Sequence, residues 1–280
     1  MSFALYYDYR SFMQTLIHSQ LTVAEYIYRR QTLGRYTVTT DELNEKLSIS
    51  YKAILQGIHR LVAKGALVMI RQGFYVIITP TYAHQKMLPT TLFIDQLMRY
   101  MKRTYYVGLY SAAALHSAGH QQPMATQVLI KKPSLRAIKK SNLYIRWFVS
   151  SSWTDDATQQ LKTDSGYFQV STPVTTLLDL IEYHKRIGGL NRLLPIVDEL
   201  CEEVDAKELS IRIQNYPTAV IRRTGYLLEH LGLIDLAAPC YAYADKGRMK
   251  ETRLSLSHEA HDAPIDNRWN LFINTSLDPL

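Results

Sequence analysis

The chain has 280 residues, of which 47 % are hydrophobic and 20 % charged, a composition typical of globular proteins and unlike that of disordered chains. No apolar run approaches the ~18 residues of a transmembrane helix, and the N-terminus lacks the basic start and apolar core of a signal peptide. The two cysteines, Cys201 and Cys240, lie far apart and outside any C-x-x-C pattern, as is usual for thiols in a reducing compartment. We therefore expect a cytoplasmic protein with no membrane contact.

The charge is distributed unevenly between the two halves of the chain. Residues 1–150 carry 19 basic and 6 acidic side chains, a net charge of +13, whereas residues 151–280 carry 13 basic and 19 acidic side chains, a net charge of −6. A basic half of this kind is the electrostatic footprint of a polyanion-binding protein. On charge alone, a merely solubilising surface explains the pattern equally well.

The first predicted elements are helical. Residues 3–31 carry apolar side chains at helical spacing and are followed by Gly34, so we expect a packed helix pair that supports the next unit. Thr39 and Glu42 form a T-x-x-E pattern, which predicts a capping box at the start of a short helix that ends near Leu47.

A second helix is predicted from Tyr51 to about Lys64, with Ser50 as its N-cap and Gly65 after its end. A tight turn, Ser48-Ile49-Ser50, separates it from the first. The apolar residues of the second helix recur at helical spacing and predict its buried stripe, which consists of Ile54, Leu55, Ile58, Leu61 and Val62.

The segment from Leu67 to Ile78 contains two β-rich runs hinged at Gln72-Gly73, which predicts a β-hairpin. Helix, turn, helix and hairpin is the order of a winged helix-turn-helix. The rest of the chain alternates predicted helices and strands. The helices are expected at 91–102, 111–117, 173 onward, 190–200, 206–214 and 219–231, and the strands at 127–131, 143–149, 166–170 and around 269–273.

In a helix-turn-helix the second helix lies in the major groove, with its N-terminal residues at the base edges, while a basic hairpin tip contacts the minor groove or phosphates. The residues that this geometry assigns to DNA are Ser50, Tyr51, Lys52, Gln56, Arg60, Lys64, Arg71 and Gln72. The alternative interpretation is a protein-binding module, since winged helices also serve that purpose. The absence of acidic residues from the exposed face of the helix and the basic N-terminal half favour DNA.

A second basic feature lies between two predicted strands, with five positive charges and no acid: Lys131, Lys132, Arg136, Lys139 and Lys140. It either extends the DNA surface, binds an acidic protein, or is a solvated loop.

The sequence offers no pattern that predicts catalysis. Phosphate-binding, dinucleotide-binding and hydrolase glycine motifs are missing. The Asp155-Asp156 pair is typical of surface charge, and the trio His258, His261 and Asp262 has no partner cluster. His116 and His120 stand four apart, but Gly119 between them indicates that the helix has ended. We therefore expect no enzyme activity, no cofactor and no metal; a metal-dependent nuclease is the least favoured hypothesis.

The chain resembles the AbiEi-type antitoxins, the abortive-infection transcriptional regulators of type IV toxin–antitoxin systems. Besides the hairpin, three segments carry the resemblance: 105–116 (YYVGLYSAAALH), 170–180 (VSTPVTTLLDL) and 223–232 (RTGYLLEHLG). It implies an α+β protein with an N-terminal winged helix-turn-helix domain, residues 1–88, followed by a larger mixed α/β C-terminal antitoxin domain, residues 89–280.

The same resemblance implies two activities. The first domain would bind inverted repeats in the protein's own promoter as a repressor, with possible dimerisation on DNA. The second would counter a nucleotidyltransferase-like toxin without needing a stable complex. The remaining alternative is a ligand-responsive winged-helix transcription factor that has no toxin partner.

Overall fold

The computed structural model describes residues 21–119, 123–244 and 250–277. Most of the helical segment predicted at 3–31 lies outside these residues. The described chain forms a mixed α+β fold that separates into two compact units. Unit 1 holds the described residues up to Met101 together with Lys140–Leu143 and Thr163–Gly166, and unit 2 holds the described part of the remainder.

Unit 1 contains four α-helices and three strands among its described residues before Met101. Their bounds are α1 Val23–Thr32, β1 Thr37–Thr39, α2 Thr40–Lys46, α3 Tyr51–Ala63, β2 Leu67–Arg71, β3 Phe74–Ile77 and α4 Ile94–Tyr100. The predicted order of helix, turn, helix and hairpin is therefore present over α2, α3, β2 and β3.

The three strands of unit 1 form an antiparallel sheet in the order β1-β3-β2. Val38 lies opposite Tyr75, and Val68 lies opposite Val76. The hairpin turns at Gln72 and Gly73 as predicted, and the φ of +76° at Gly73 explains why glycine stands there.

A small core holds the helices against this sheet. Its buried side chains come from every element between α1 and β3, and include Ile27, Leu43, Ile54, Leu67 and Ile77. Burial of such aliphatic side chains stabilises a domain by ~1.5–3 kcal/mol each. The fold of unit 1 thus rests on a continuous apolar layer beneath α2 and α3.

Two sequence predictions in unit 1 were wrong in detail. Only half of the predicted capping box forms: the Thr39 side chain accepts from the Glu42 N–H at 3.0 Å, but the Glu42 carboxylate bonds Tyr26 and Arg30 instead of returning to the cap. Leu55 and Val62 belong to the predicted buried stripe of α3, yet they are 42 % and 38 % exposed. Both lie on the edge of the apolar face, where no neighbouring element covers them.

Unit 2 is built around a six-stranded mixed sheet in the order β6-β7-β5-β4-β9-β8. The bounds of its strands are β4 Tyr105–Val107, β5 Thr126–Ile130, β6 Ile138–Lys140, β7 Leu143–Val149, β8 Thr158–Thr163 and β9 Gly166–Ser171. β4 pairs antiparallel with β5 and parallel with β9, and β5 pairs parallel with β7. The β7 bounds match the prediction, which rested on alternation; buried and half-buried residues alternate from Leu143 to Trp147.

Helices pack against this sheet, and a small sheet follows them. Their bounds are α5 Leu109–Leu115, α6 Pro173–Glu182, α7 His184–Ile187, α8 Leu194–Cys201, α9 Ala206–Arg212, α10 Thr218–His230, α11 Ile234–Ala244, β10 Thr252–Arg253, β11 Ile265–Asp266 and β12 Leu271–Phe272. The helix predicted from 190 begins only at Leu194, because Pro195 lies in its first turn, the position that proline favours. None of the described helices has both the length and the apolar character that crossing a bilayer requires.

Candidate nucleic-acid interface

The interface predicted from the sequence centres on α3, which is preceded by a four-residue connection from α2. Ser50 adopts an extended backbone, and its side-chain oxygen accepts from the Ala53 N–H at 3.3 Å. The N-cap predicted for Ser50 is therefore confirmed. An N-cap of this kind satisfies one of the free N–H groups of the first turn and fixes where the helix begins.

The polar residues of α3 lie on one side of the helix. Lys52, Gln56 and Arg60 follow one another at four-residue spacing and are all exposed, while Ile54 and Ile58 on the opposite side are 0 % and 4 % exposed. Helical residues four apart lie one above the other. The three side chains therefore form a continuous ridge that we call the polar face of α3.

The polar face carries positive charge without an acidic residue on the same helix. Ser50 and Tyr51, at the helix start, are also exposed, and Tyr51 has an exposed fraction of 55 %. Lys64 is the C-cap residue at the other end, some 18 Å along the axis from Lys52 at ~1.5 Å per residue. Hydrogen-bonding and cationic side chains on an exposed helix can reach base edges and phosphates.

The hairpin tip carries Arg71 and Gln72, which are both exposed. The Tyr100 hydroxyl donates to the main-chain oxygen of Gln72 at 2.8 Å, and the ring of Tyr100 lies 5.3 Å from that of Phe74. A side chain at Gly73 would meet the Tyr100 hydroxyl at 2.6 Å. The tip is therefore held by α4, which fixes the position from which the side chain of Arg71 extends.

The Arg71 side chain is not free of local contacts. Its Nη1 lies 3.0 Å from the sulfur of Met101. A thioether is a weak hydrogen-bond acceptor, so the guanidinium keeps most of its donors for a stronger partner such as a phosphate.

A polar cluster joins α1 to α2. The Glu42 carboxylate accepts from the Tyr26 hydroxyl at 2.6 Å and pairs with the guanidinium of Arg30. Burial, and then the hydrogen bond to Glu42, raise the pKa of Tyr26 above its ordinary value. The cluster ties α2 to α1.

The second basic feature has five exposed cations, Lys131, Lys132, Arg136, Lys139 and Lys140, whereas Ile138 between them is buried. None of the five takes part in the ion pairs formed between described residues. The Nζ atom of Lys131 lies 5.2 Å from the ring centre of Trp153, and the Nζ atom of Lys139 lies 4.4 Å from the ring centre of Tyr144. Cations on aromatic faces are held in place while remaining available to an anion. Lys140 falls in unit 1 and the other four in unit 2.

Unit 2 contains a buried carboxylate that the sequence analysis did not single out. Asp179, on α6, accepts from the Tyr106 hydroxyl and from the Tyr216 hydroxyl, each at 2.8 Å. Burial raises the pKa of Asp179 to about 7, against the opposing effect of the two hydrogen bonds. Both carboxylate oxygens are occupied and Asp179 is 0 % exposed, so the arrangement suits a structural network rather than a reactive site. An acid inside the apolar run TLLDL is the only sequence signal for it.

His184, the first residue of α7, is another buried titratable group of unit 2. Its Nδ1 lies 2.7 Å from the Ile181 oxygen, and its Nε2 accepts from the Leu256 N–H at 3.1 Å. Burial lowers the pKa of His184 to about 4. The imidazole is therefore neutral and serves as a main-chain bridge.

The polar groups considered for metal or catalysis lie apart. Asp156 pairs with the buried Arg212 at 2.7 Å, and His116 contacts the main-chain oxygen of Ser171 at 2.8 Å. His120 lies outside the described residues. Among the residues that are described, no three side chains of the ligand types come together as a metal site would require.

Two family models match the chain. A model described as the transcriptional regulator AbiEi antitoxin matches residues 33–78, and a model described as the AbiEi antitoxin C-terminal domain matches residues 106–230. The first covers α2, α3 and the hairpin, and the second covers the six-stranded sheet apart from Tyr105, together with the helices through the end of α10. No curated protein matches the chain.

Among solved structures, the RV2827C protein from Mycobacterium tuberculosis is similar over 89 % of this chain and 89 % of its own, with a TM-score of 0.62 and 16 % identity. At this level of identity, the likeness shows a shared fold and nothing more. An antigenic nucleotidyltransferase-like protein from Paracoccidioides brasiliensis gives a TM-score of 0.34 at 11 % identity, over 55 % of this chain and 91 % of its own. A likeness that weak supports no conclusion.

Proposed function

The chain belongs to the AbiEi antitoxin family, and we propose that it is the antitoxin of a type IV toxin–antitoxin system that represses its own promoter. In this proposal residues 1–88 form a winged helix-turn-helix domain that binds DNA, and residues 89–280 form the antitoxin domain. Family membership supports both halves of the proposal, and the surface chemistry of α3 supports the first.

The observation that carries the DNA-binding proposal is the polar face of α3. Lys52, Gln56 and Arg60 are exposed in one ridge, on a helix whose N-terminus is capped and whose opposite side is buried. Gln56 has the amide geometry that recognises adenine, and the two cations suit guanine or phosphate. We assign Arg71 and Gln72 at the hairpin tip to contacts with the adjacent backbone or minor groove, as made by the wing of such domains.

The five cations of the second basic feature are assigned a supporting role. They are exposed, and two of them are steadied on aromatic rings. We assign them to non-specific phosphate contacts, which add affinity without reading sequence.

For the second domain, the proposed activity is to counter a nucleotidyltransferase-like toxin encoded by the same operon. The AbiEi antitoxin description of residues 106–230 supports this assignment. Type IV antitoxins act without requiring a stable complex, so the test is growth rescue. Co-expression of the full chain with the adjacent toxin should restore growth, and failure to do so would remove the antitoxin half of the proposal.

The DNA half is tested by salt-titrated binding to the sequence directly upstream of the gene, against scrambled duplex of equal length. Tight, sequence-preferring binding that weakens as salt rises is expected, with a twofold-symmetric footprint if a dimer occupies an inverted repeat. Equal affinity for both duplexes would indicate that the protein binds DNA non-specifically through its positive charge. Absence of binding at low salt would show that the helix-turn-helix contacts protein instead.

A further inference from the structure

Unit 1 contains a groove of about 900 Å³ that shares only Lys64 and Lys140 with the residues assigned to DNA. It lies between the C-terminal end of α3, strand β2 and the segment 78–86, and all its lining residues belong to unit 1. Its volume falls within the range of about 300–1,000 Å³ that is usual for ligand pockets.

One wall of the groove is the open edge of a sheet. β2 is the outer strand in the order β1-β3-β2. Ile78 donates its N–H to the Ala66 oxygen at 2.9 Å, whereas Ile77 donates to Tyr36 on the other side at 2.8 Å. Hydrogen-bonded and non-hydrogen-bonded pairs alternate in antiparallel sheets. The main-chain groups of Leu67, opposite Ile77, and of Met69, two residues on, therefore point away from β3.

The other walls combine apolar side chains with positive charge. Val62 and Met69 are exposed to 38 % and 39 % and both line the groove. Its charged lining residues are three lysines, Lys64, Lys86 and Lys140, and none is acidic. A ligand that matches these walls is partly apolar and negatively charged.

We propose that this groove binds an extended peptide that adds to β2 as a further strand and whose side chains alternate between apolar and acidic. The main-chain groups of Leu67 and Met69 would pair with the peptide backbone, as in other cases of strand addition to a sheet edge. Alternate side chains of a strand point to opposite faces, so the apolar ones meet Val62 and Met69 while the acidic ones meet the lysines.

The proposal goes beyond the DNA-binding function and is independent of it. The groove lies at the C-terminal end of α3, and the residues that carry the polar face are not among its lining residues. Lys64 and Lys140 belong both to the groove and to the residues assigned to DNA, so both are left unchanged in the test.

The probe is a fluorescein-labelled hexapeptide of alternating valine and glutamate, added to the full chain and followed by anisotropy. Two peptides serve as controls: alternating valine and lysine, and three valines followed by three glutamates. We expect the alternating acidic peptide to bind at least about tenfold more tightly than either control, which corresponds to ~1.4 kcal/mol. Amide hydrogen exchange at Leu67 and Met69 should slow when it binds.

Three variants locate the site. Met69→Pro removes an outward N–H at an edge strand, a position that tolerates proline, and should weaken peptide binding about tenfold. Met69→Ala, the matched control, keeps the N–H and should lose only the apolar contact, about two- to threefold. Lys86→Glu should weaken the acidic peptide and strengthen the lysine peptide. If Met69→Pro fails to fold, the Lys86→Glu variant and the amide exchange still test whether the peptide binds in the groove.

Equal affinity for all three peptides would overturn the proposal, as would unchanged exchange at Leu67 and Met69 in the saturated complex. If Lys86→Glu instead reduces affinity for scrambled duplex DNA and leaves the peptide unaffected, the groove is a nucleic-acid surface and the peptide proposal is wrong. Loss of promoter binding by Lys52→Ala with intact peptide binding would separate the two functions.

Discussion

Helices α3 and α6 use polar side chains in opposite ways. In α3, two of thirteen residues, Ile54 and Ile58, are fully buried, and the polar ones face outward. In α6, eight of ten residues are buried, and the carboxylate of Asp179 is satisfied by two tyrosine hydroxyls. The first helix presents a surface, whereas the second completes a core.

A polar residue that is exposed on α3 affects binding, whereas one that is buried in α6 affects folding. An exposed side chain can be replaced at little cost in stability, because water already satisfies it. A buried one cannot, since its removal leaves partners without a hydrogen bond. Substitutions of buried polar residues in unit 2 should therefore change the free energy of unfolding, and substitutions on the polar face should change DNA affinity alone.

The largest stability effect is expected at Gly225, on α10. A side chain there would overlap the indole of Trp269, which is 1 % exposed and donates through Nε1 to Glu229 at 2.6 Å. Overpacking of this kind costs about 3 kcal/mol. The free energy of unfolding of Gly225→Val, measured in urea, should be lower than that of the wild type by that amount. In a Trp269→Leu background the same substitution should cost at least ~1 kcal/mol less. An equal cost in both backgrounds would contradict the overlap.

The next effect is a pH dependence at Asp179. Its folded pKa of about 7 lies above the ordinary value of 3.8, so the folded state holds a proton that the unfolded state has released. The stability that this group contributes is full below pH 3.8 and is lost as the pH rises through 7. Asp179→Asn stays uncharged and can still hydrogen-bond both tyrosines. Relative to this variant, the wild type should lose on the order of 2 kcal/mol between pH 5 and pH 8.

His184 acts in the opposite sense and provides the internal check. Its folded pKa of about 4 lies below 6.5, so its contribution is present above pH 6.5 and is lost as the pH falls towards 4. The Asp179→Asn variant lacks the opposing effect of Asp179. Its free energy of unfolding should therefore fall as the pH is lowered below 6.5. If the free energy of unfolding changes with pH in the same way for wild type and variant between pH 4 and pH 8, Asp179 is ionised in the folded protein.

The polar face should behave as a binding surface. Lys52→Ala and Arg71→Ala should each weaken promoter binding by ~1–3 kcal/mol if the lost contact is to a base, or reduce the salt slope by about 1 if it is to phosphate. Both side chains are exposed, so unfolding should not change. Lys207→Ala, an exposed lysine of unit 2, removes the same charge elsewhere and serves as the control. Equal losses in all three variants would indicate a general charge effect.

The smallest effect is expected at the hairpin tip. Tyr100→Phe keeps the ring against Phe74 but removes the 2.8 Å bond to the Gln72 oxygen, which is worth ~0.5–1.5 kcal/mol. Amide exchange near Gly73 should speed up, and promoter affinity should fall by less than in Arg71→Ala. An affinity loss equal to that of Arg71→Ala would instead mean that Tyr100 itself contacts DNA.

The sequence predicted those parts of the fold where a local rule decides. The Gln72-Gly73 turn follows from a glycine between two β-rich runs, the start of α6 follows from Pro173 after the Thr172 cap, and the bounds of β7 follow from alternation. Strand β8, with the polar sequence TQQLKT, and helix α11, with Pro239 inside it, have no such local signal and were missed. Their structure depends on partners distant in sequence.

The same distinction holds at the candidate interface. Periodicity placed Lys52, Gln56 and Arg60 together on α3, and they are together and exposed. It could not show that Leu55 and Val62 are exposed. Periodicity indicates which side of a helix is apolar, but not how much of that side the neighbouring elements cover. Nor could it show the bond from Tyr100 to the hairpin tip, which joins residues 28 positions apart. That these residues contact DNA stays a prediction.

The most direct test of DNA reading by α3 is the ratio of affinities for upstream and scrambled duplex, measured at one salt concentration for wild type, Gln56→Ala and Lys86→Ala. Gln56 lies on the polar face and Lys86 does not. If α3 reads bases, Gln56→Ala should lower the ratio by about tenfold, while Lys86→Ala should leave it unchanged. A ratio that is the same in all three proteins would contradict a base-reading role for α3.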